Sequence, residues 1–218
     1  MYSTKIKIVV LIFSLFVCCK KSNEKSSRVA TLPYYKEATF RPHWLTPGSD
    51  EEKSFHKIPS FSMTNQEGEF ITNESLSSKI YIVDFFFTSC PGICPKMTDN
   101  MSLVQGYFKE DEEVMIVSFS VTPEKDSVQV LRDYANNKNI DSKKWYLLTG
   151  IRKEIYDLGR KAYFVEEDLG KTKSEEDFLH TENFVLIDSN RHIRGIYNGL
   201  NRNSVMQLIA DIKTLKEE

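Results

Sequence analysis

The sequence predicts an α/β domain of three layers, with an extra β-hairpin ahead of its central sheet and a second hairpin before its last helix. Three observations carry this reading. Nearly unbroken apolar runs over residues 80–87 and 114–121 have the length of strands covered on both faces. Val205, Leu208, Ile209, Ile212 and Leu215 recur at about 3.6-residue spacing and close the chain with an amphipathic helix. Between them strand and helix patterns alternate, which is the order of a sheet sandwiched by helices.

Taken from the N-terminus, residues 1–19 read as a targeting segment outside the fold. Lys5 and Lys7 supply a charged start and residues 8–18 an apolar stretch too short for the ~20 residues of a spanning helix. The stretch closes on Cys18-Cys19 before a Lys/Ser-rich tether and resembles a bacterial lipoprotein signal, with Cys19 as the lipidated residue. An uncleaved anchor and a plain secretory signal are the competing readings. All three put the domain outside the cytoplasm, tethered to the membrane in the first two and facing the periplasm in the lipoprotein case.

Residues 20–54 form a polar linker with turns at Pro33, Pro42, Pro47 and Gly48 and a charge run at 49–53. Leu32-Pro33-Tyr34-Tyr35 and Phe40-Arg41-Pro42-His43-Trp44 are too aromatic for a spacer and are expected to pack on the domain, which occupies residues 55–218. With 218 residues, one such domain of ~100–200 residues is what the chain can hold. Its 29 basic and 31 acidic residues, net charge −2, interleave along the chain, so no basic face for nucleic acid is expected.

Phe61, Met63 and Phe70-Ile71-Thr72 flank Asn65-Gln66-Glu67-Gly68, a hairpin with its turn at Glu67-Gly68. Residues 80–87 are the central strand. Pro95 opens a helix where its missing N–H does no harm, and Met97, Met101, Val104 and Phe108 continue it. Met97 and Met101 are read as core residues and not as thioether ligands. A strand follows at 114–121, then a helix at 126–138 with Val130, Leu131 and Tyr134 inward, a short strand at 145–148, and a helical stripe of Ile151, Ile155 and Leu158. Tyr156, Tyr163 and Phe164 are read as core or rim aromatics. Residues 166–177 are almost wholly polar, hence an exposed loop. Residues 184–188 and 192–197 make the second hairpin around Ser189-Asn190. The order of elements is that of a thioredoxin-like fold. Asp84, inside an apolar strand, needs a hydrogen-bond partner that the sequence does not identify.

The chemistry concentrates in Cys90-Pro91-Gly92-Ile93-Cys94, the sole thiols beyond Cys18 and Cys19. They fall where the central strand passes into a helix, and the free N–H groups of a helix start favour the thiolate that attacks disulfides and binds soft metals. Redox-active pair or metal site is the choice this leaves. In a thioredoxin-like fold the entrance of the strand at 184 faces the cysteine loop, which brings His180 to the two sulfurs as a third member. His43, His56 and His192 have no such partners and are read as surface or packing residues.

On Phe87-Thr88-Ser89-Cys90-Pro91-Gly92-Ile93-Cys94-Pro95, Pro123-Glu124-Lys125-Asp126, Leu148-Thr149-Gly150, His180-Thr181 and Leu186-Ile187-Asp188, the chain resembles the SCO/SenC family, copper proteins involved in assembling cytochrome c oxidase. The resemblance implies a single copper ion, Cu(I) or Cu(II), held by Cys90, Cys94 and His180. It also implies a partner in the copper-accepting subunit of cytochrome c oxidase, with another copper donor or a thiol reductase alongside. Oxidation to a Cys90–Cys94 disulfide would release the metal. The chain departs from the family at Thr122 and Leu179, where members often carry Asp. Two thiolates suit Cu(I) and an imidazole suits Cu(II), whereas structural zinc normally takes four protein ligands.

The rival is a metal-independent thiol-disulfide oxidoreductase. Against it stand the Cys-x-x-x-Cys spacing, in place of Cys-x-x-Cys, and the lack of any proline after Pro123 to dock a substrate across from the cysteines. A peroxidase of the peroxiredoxin type is further off, since Phe87 occupies the place of its Thr or Ser.

Overall fold

A computed structural model describes residues 26–166 and 178–218. The targeting segment with Cys19 and the polar loop from residue 167 onward lie outside the described residues.

The central sheet has five strands in the order β5-β4-β3-β6-β7, formed by β3 (Ile80–Phe86), β4 (Val114–Ser120), β5 (Trp145–Leu148), β6 (Asn183–Ile187) and β7 (Ile193–Asn198). Strands β3, β4 and β5 run parallel, with Ile80 opposite Val114 and Phe86 opposite Ser120; β6 runs antiparallel to β3 with Val83 opposite Val185, and β7 returns antiparallel to β6. The parallel pairs require helical crossovers, and these cover the sheet, so β3 and β4 are buried along their whole length. On one face Ile80, Ile82 and Phe86 pack against α2 (Cys94–Tyr107), α3 (Val128–Lys138) and α5 (Arg202–Lys216). On the other, Tyr81, Val83 and Phe85 meet the hairpin β1 (Ser62–Thr64) and β2 (Phe70–Thr72) and the helix α4 (Arg152–Asp157). This is the expected three-layer, thioredoxin-like arrangement with both extra hairpins.

Local chemistry places the boundaries. The first hairpin turns on Asn65, whose Oδ1 accepts from the Glu67 and Glu69 N–H groups, and on Gly68 at φ +84°. The central strand stops at Phe86, one residue short of the expectation, and Pro95 sits in the first turn of α2. Met97, Met101 and Val104 are fully buried beneath that helix, as their spacing predicts. Helix α3 starts two residues late because Asp126 is drawn into the preceding loop, and the Ser127 hydroxyl accepts the Val130 N–H at 3.4 Å instead. Leu131 and Ala135, one helical turn apart, form its inner stripe; Val130, expected inward, lies to the side and is 37% exposed. Ile151 also stays outside, since it is the extended residue that caps α4, while Ile155 and Leu158 are buried. Past α4 the chain widens into a π-turn over Leu158–Ala162.

The linker is fastened to the domain at the sheet end remote from the cysteines. Tyr34 and His43 exchange backbone hydrogen bonds at 2.7 and 3.0 Å, and the Tyr35 N–H donates to the Ile193 carbonyl at 3.0 Å. Buried Arg194 donates to the carbonyls of Leu32 (2.7 Å) and Pro33 (3.2 Å), pairs with Asp188 (3.2 Å) and Glu218, and lies 4.0 Å from the Tyr34 ring centre. Trp44, expected to pack, is 62% exposed: His43 turns its ring onto Phe55, and its neighbour takes the outer side. The charge run after Gly48 folds into a short helix, α1 (Asp50–Ser54). Ser49 Oγ accepts the Glu52 N–H and Glu52 Oε2 accepts the Gly48 N–H, a near relative of the capping box that Ser49 and Glu52 are spaced to form. His192 and His56 are packing residues, bonded to the carbonyls of His56 and Ala162.

Candidate metal centre

Strand β3 carries the chain to Phe86, and a short loop then turns it into α2, with Cys90 in the loop and Cys94 as the first helical residue. Both thiols are free. Cys90 is half-buried and Cys94 buried. Their environments pull them apart. Desolvation pushes the Cys90 thiol up, but hydrogen bonds from the Cys94 thiol and from the backbone N–H groups of Cys94, Gly92 and Ile93 outweigh it and hold Cys90 below the usual thiol range. Burial, the hydrogen bond to Cys90 and the nearby Cys90 and Asp84 charges push the Cys94 thiol up to about 12, against the opposing Phe87 N–H. The loop therefore presents one accessible, thiolate-prone sulfur and one sheltered thiol. That division suits a nucleophile with its resolving partner, and equally a pair of soft donors.

Beneath Cys94, on the same sheet face as Ile82 and Phe86, lies Asp84. Its partner is Ser118, directly across on β4, which donates to Asp84 Oδ1; Trp145 Nε1 donates to Ser118 Oγ at 2.7 Å, leaving the serine O–H free for the carboxyl. Full burial, only partly offset by the Ser118 bond, raises the Asp84 carboxyl to about 7. Nothing in the sequence around Asp84 points to Ser118, because the contact exists only through strand register.

The segment bearing His180 is tied to the strand that leads to the cysteines. Strand β6 runs antiparallel to β3, so the residues just ahead of Asn183, His180 among them, lie at the end of the sheet where β3 leads into the cysteine loop. Phe178 packs edge-on against Phe87 with ring centres 5.3 Å apart. Leu179 is fully buried, and it and Phe85 would each lie 3.1 Å from a Cβ placed on Gly159. This explains the departure at Leu179: the position points into the second core, where an acid would lack solvation. His180 itself is exposed. Among the described residues no three His, Cys, Asp or Glu side chains stand close enough together to hold a metal. The backbone thus brings His180 to the same end of the sheet as the two sulfurs, without its ring joining them. The two thiols fit a soft metal ion by donor chemistry, and a three-ligand set that included His180 would need its ring to move toward them.

A second carboxylate, Asp126, is also buried at this end, and its place in the Pro123-Glu124-Lys125-Asp126 motif does not by itself reveal that role. It accepts from Thr88 Oγ1 at 2.6 Å, Ser120 Oγ at 2.5 Å, Thr122 Oγ1 at 3.1 Å and the Thr88 N–H at 3.3 Å. Thr122, the other departure, is thus a donor to Asp126. Ser118 and Ser120 are the two polar residues of the otherwise apolar β4, and each donates to one of the two buried carboxylates.

Comparison with known proteins identifies relatives of this chain. The family model described as SCO1/SenC matches residues 49–217. The SCO1 protein homolog of Bacillus subtilis is 32% identical over 161 residues, 73% of this chain and 82% of that protein. A SCO1/SenC family lipoprotein from Bacillus anthracis superposes with a TM-score of 0.65 at 31% identity, over 74% of this chain and 95% of that one. The copper-bound ScoI of Arabidopsis thaliana superposes with a TM-score of 0.57 at 28% identity, over 73% and 98%. Among the described residues no helix is long and apolar enough to cross a membrane. Proteins of this kind are linked to copper binding and to cytochrome c oxidase assembly. With most of its length matched and the cysteine pair, the facing segment and the sheet order in place, the chain belongs to the SCO1/SenC family.

Proposed function

We infer that this protein is a membrane-tethered copper metallochaperone, lipidated at Cys19, that holds one copper ion through Cys90, Cys94 and His180 and passes it to the binuclear copper site of a cytochrome c oxidase subunit. The observation that supports it is the pairing of an accessible, thiolate-prone Cys90 with a sheltered Cys94 at the start of α2, with His180 on the segment packed beside the loop. Copper is the cargo. Cys90 is the more accessible of the two sulfurs, so an acceptor thiolate would displace it first and Cys94 last, exchanging ligands one at a time. Exposure of His180 lets its imidazole leave or join without disturbing the core.

The asymmetry of the thiols also favours a second reading, delivery of reducing equivalents to the acceptor. Cys90 thiolate would attack an acceptor disulfide to give a mixed disulfide and one acceptor thiolate. Cys94, after losing its proton, would then displace the second acceptor thiolate, leaving a Cys90–Cys94 disulfide. BsSco, 31% identical to this chain with a TM-score of 0.63, is a relative in which a disulfide switch was identified.

Copper stoichiometry of the reduced, anaerobic full chain, compared with His180→Ala and Cys90→Ser, tests the proposal. One copper per chain, weakened in the first variant and lost in the second, is the expected result. A wild type that binds no copper yet reduces disulfides, with His180→Ala unchanged, would establish the oxidoreductase instead.

A further inference from the structure

Asp126 is 1% exposed, and the partners described above are all neutral donors. A carboxylate so placed is tolerable only when its lone pairs are filled, and here hydroxyl and amide groups from the cysteine loop and from the end of β4 fill them. Ser120 ends β4, and Thr122 follows it, with its own N–H donating to Ser120 Oγ at 3.2 Å. Thr88 belongs to the cysteine loop and is bound twice, through its N–H and its hydroxyl, to the same carboxylate. Two bonds from one residue to one group restrain backbone and side chain together. Beyond the bonds that the two sulfurs themselves accept, the loop's backbone is loosely held: Pro91 and Gly92 are exposed, and the Cys90 N–H reaches the Phe87 carbonyl at a long 3.3 Å. Helix α2 anchors the exit of the loop, and Asp126 anchors its entry.

We propose that Asp126 is a positioning residue that, through Thr88, holds the entry of the cysteine loop so that the Cys90 sulfur stays beside Cys94, preorganised to bridge either a copper ion or a disulfide. The inference rests on reading Cys90 and Cys94 as the functional pair. Loosening the entry lets Cys90 wander, and every arrangement that joins the two sulfurs then carries an added loop-closure cost. The disulfide becomes harder to form and bound copper is held less tightly. Thr122 is part of the same device, since its hydroxyl supplies a donor where a second carboxylate would repel Asp126.

The test is the thiol–disulfide exchange constant of the Cys90–Cys94 pair against glutathione, measured on the full chain by peptide-resolved mass spectrometry. It is measured for wild type, Thr88→Val, Thr88→Ser, Asp126→Asn and the Thr88→Val/Asp126→Asn double variant. Thr88→Val and Asp126→Asn are expected to disfavour the disulfide by about tenfold, about 30 mV for a two-electron couple. Thr88→Ser, which keeps the hydroxyl, should match wild type, and the double variant should be no worse than either single one. A merely structural role would lower the unfolding midpoint without moving the constant. The proposal is overturned by a folded Thr88→Val with the wild-type constant, by a Thr88→Ser as defective as Thr88→Val, or by effects that simply add. Should Asp126→Asn fail to fold, the two Thr88 variants decide alone. Copper binding is not needed for this readout, so an unaltered constant in a copper-binding protein sinks the clamp and leaves the metallochaperone, whereas a shifted constant in a protein that binds no copper does the reverse.

Discussion

Replacing Asp84 by Asn should flatten a pH dependence that the wild type cannot avoid. The carboxyl is buried in the middle of β3, and its folded value stands at about 7 against an ordinary 3.8. Below pH 3.8 it is protonated in both folded and unfolded chains, and its full contribution to stability is present. As the pH rises above that value the unfolded chain releases the proton while the folded one keeps it, so stability falls until about pH 7 and then levels off. The interval corresponds to about 4 kcal/mol. Asparagine keeps the shape and still accepts the Ser118 hydroxyl on its carbonyl, but has no proton to lose. Urea unfolding of reduced, metal-free wild type and variant between pH 4 and 8 isolates the effect, since every other group titrates in both proteins. The expected result is a difference in unfolding free energy that moves in the variant's favour by up to about 4 kcal/mol across this range, whatever its constant offset. A difference that is the same at both ends would refute the assignment of a neutral, buried Asp84.

Arg194→Met should cost about 3–5 kcal/mol in unfolding free energy, because Asp188 stays buried without its partner; trypsin should then cut the linker at Lys36 faster than in wild type, and an unchanged cleavage rate would mean that Arg194 does not fasten it. Gly159→Ala puts a methyl 3.1 Å from Leu179 and Phe85, so a loss of about 1–3 kcal/mol is expected together with weaker copper binding through the displaced His180 segment. Chelator competition checks the copper half of that expectation, and undiminished affinity would separate Gly159 from the site. Met101→Ala, wholly within the core under α2, should lose about 2–5 kcal/mol by calorimetry and leave the copper stoichiometry unchanged; a copper defect without destabilisation would revive the thioether as a ligand.

Strands and helices with strong periodicity were legible from the chain alone. The runs that became β3 and β4 and the stripes of α2 and α5 carry patterns that tolerate a single reading, and the cysteine pair announced itself by spacing and by the proline behind it. Weaker signals misled at edges. Val130 and Ile151 are apolar and sit near apolar stripes, yet one lies off the inner face of α3 and the other caps α4 from outside. Apolar character alone does not say which side of a short helix meets the sheet. Ser49 and Glu52 have cap spacing, but they sit in a charge run within a Pro-containing stretch, a pattern that usually stays in water and so hides the short helix α1. Fold order predicts that His180 comes near the cysteines, and the structure brings its segment to Phe87 without gathering a three-ligand cluster among the described residues.

The sequence by itself determined the order of elements, the two thiols at a helix start and the histidine ahead of a later strand, since each follows from local periodicity, backbone chemistry or motif. Only the tertiary structure decided what surrounds them. Asp84 meets Ser118 and Trp145, and Asp126 gathers Thr88, Ser120 and Thr122, through strand register and loop closure. The unequal acidities of Cys90 and Cys94 likewise come from burial and from the aim of three backbone N–H groups, which are properties of the folded loop. Partners distant in sequence and free of any periodic pattern leave no trace in a linear reading, because the energy that pairs them exists only once water has been excluded from between them.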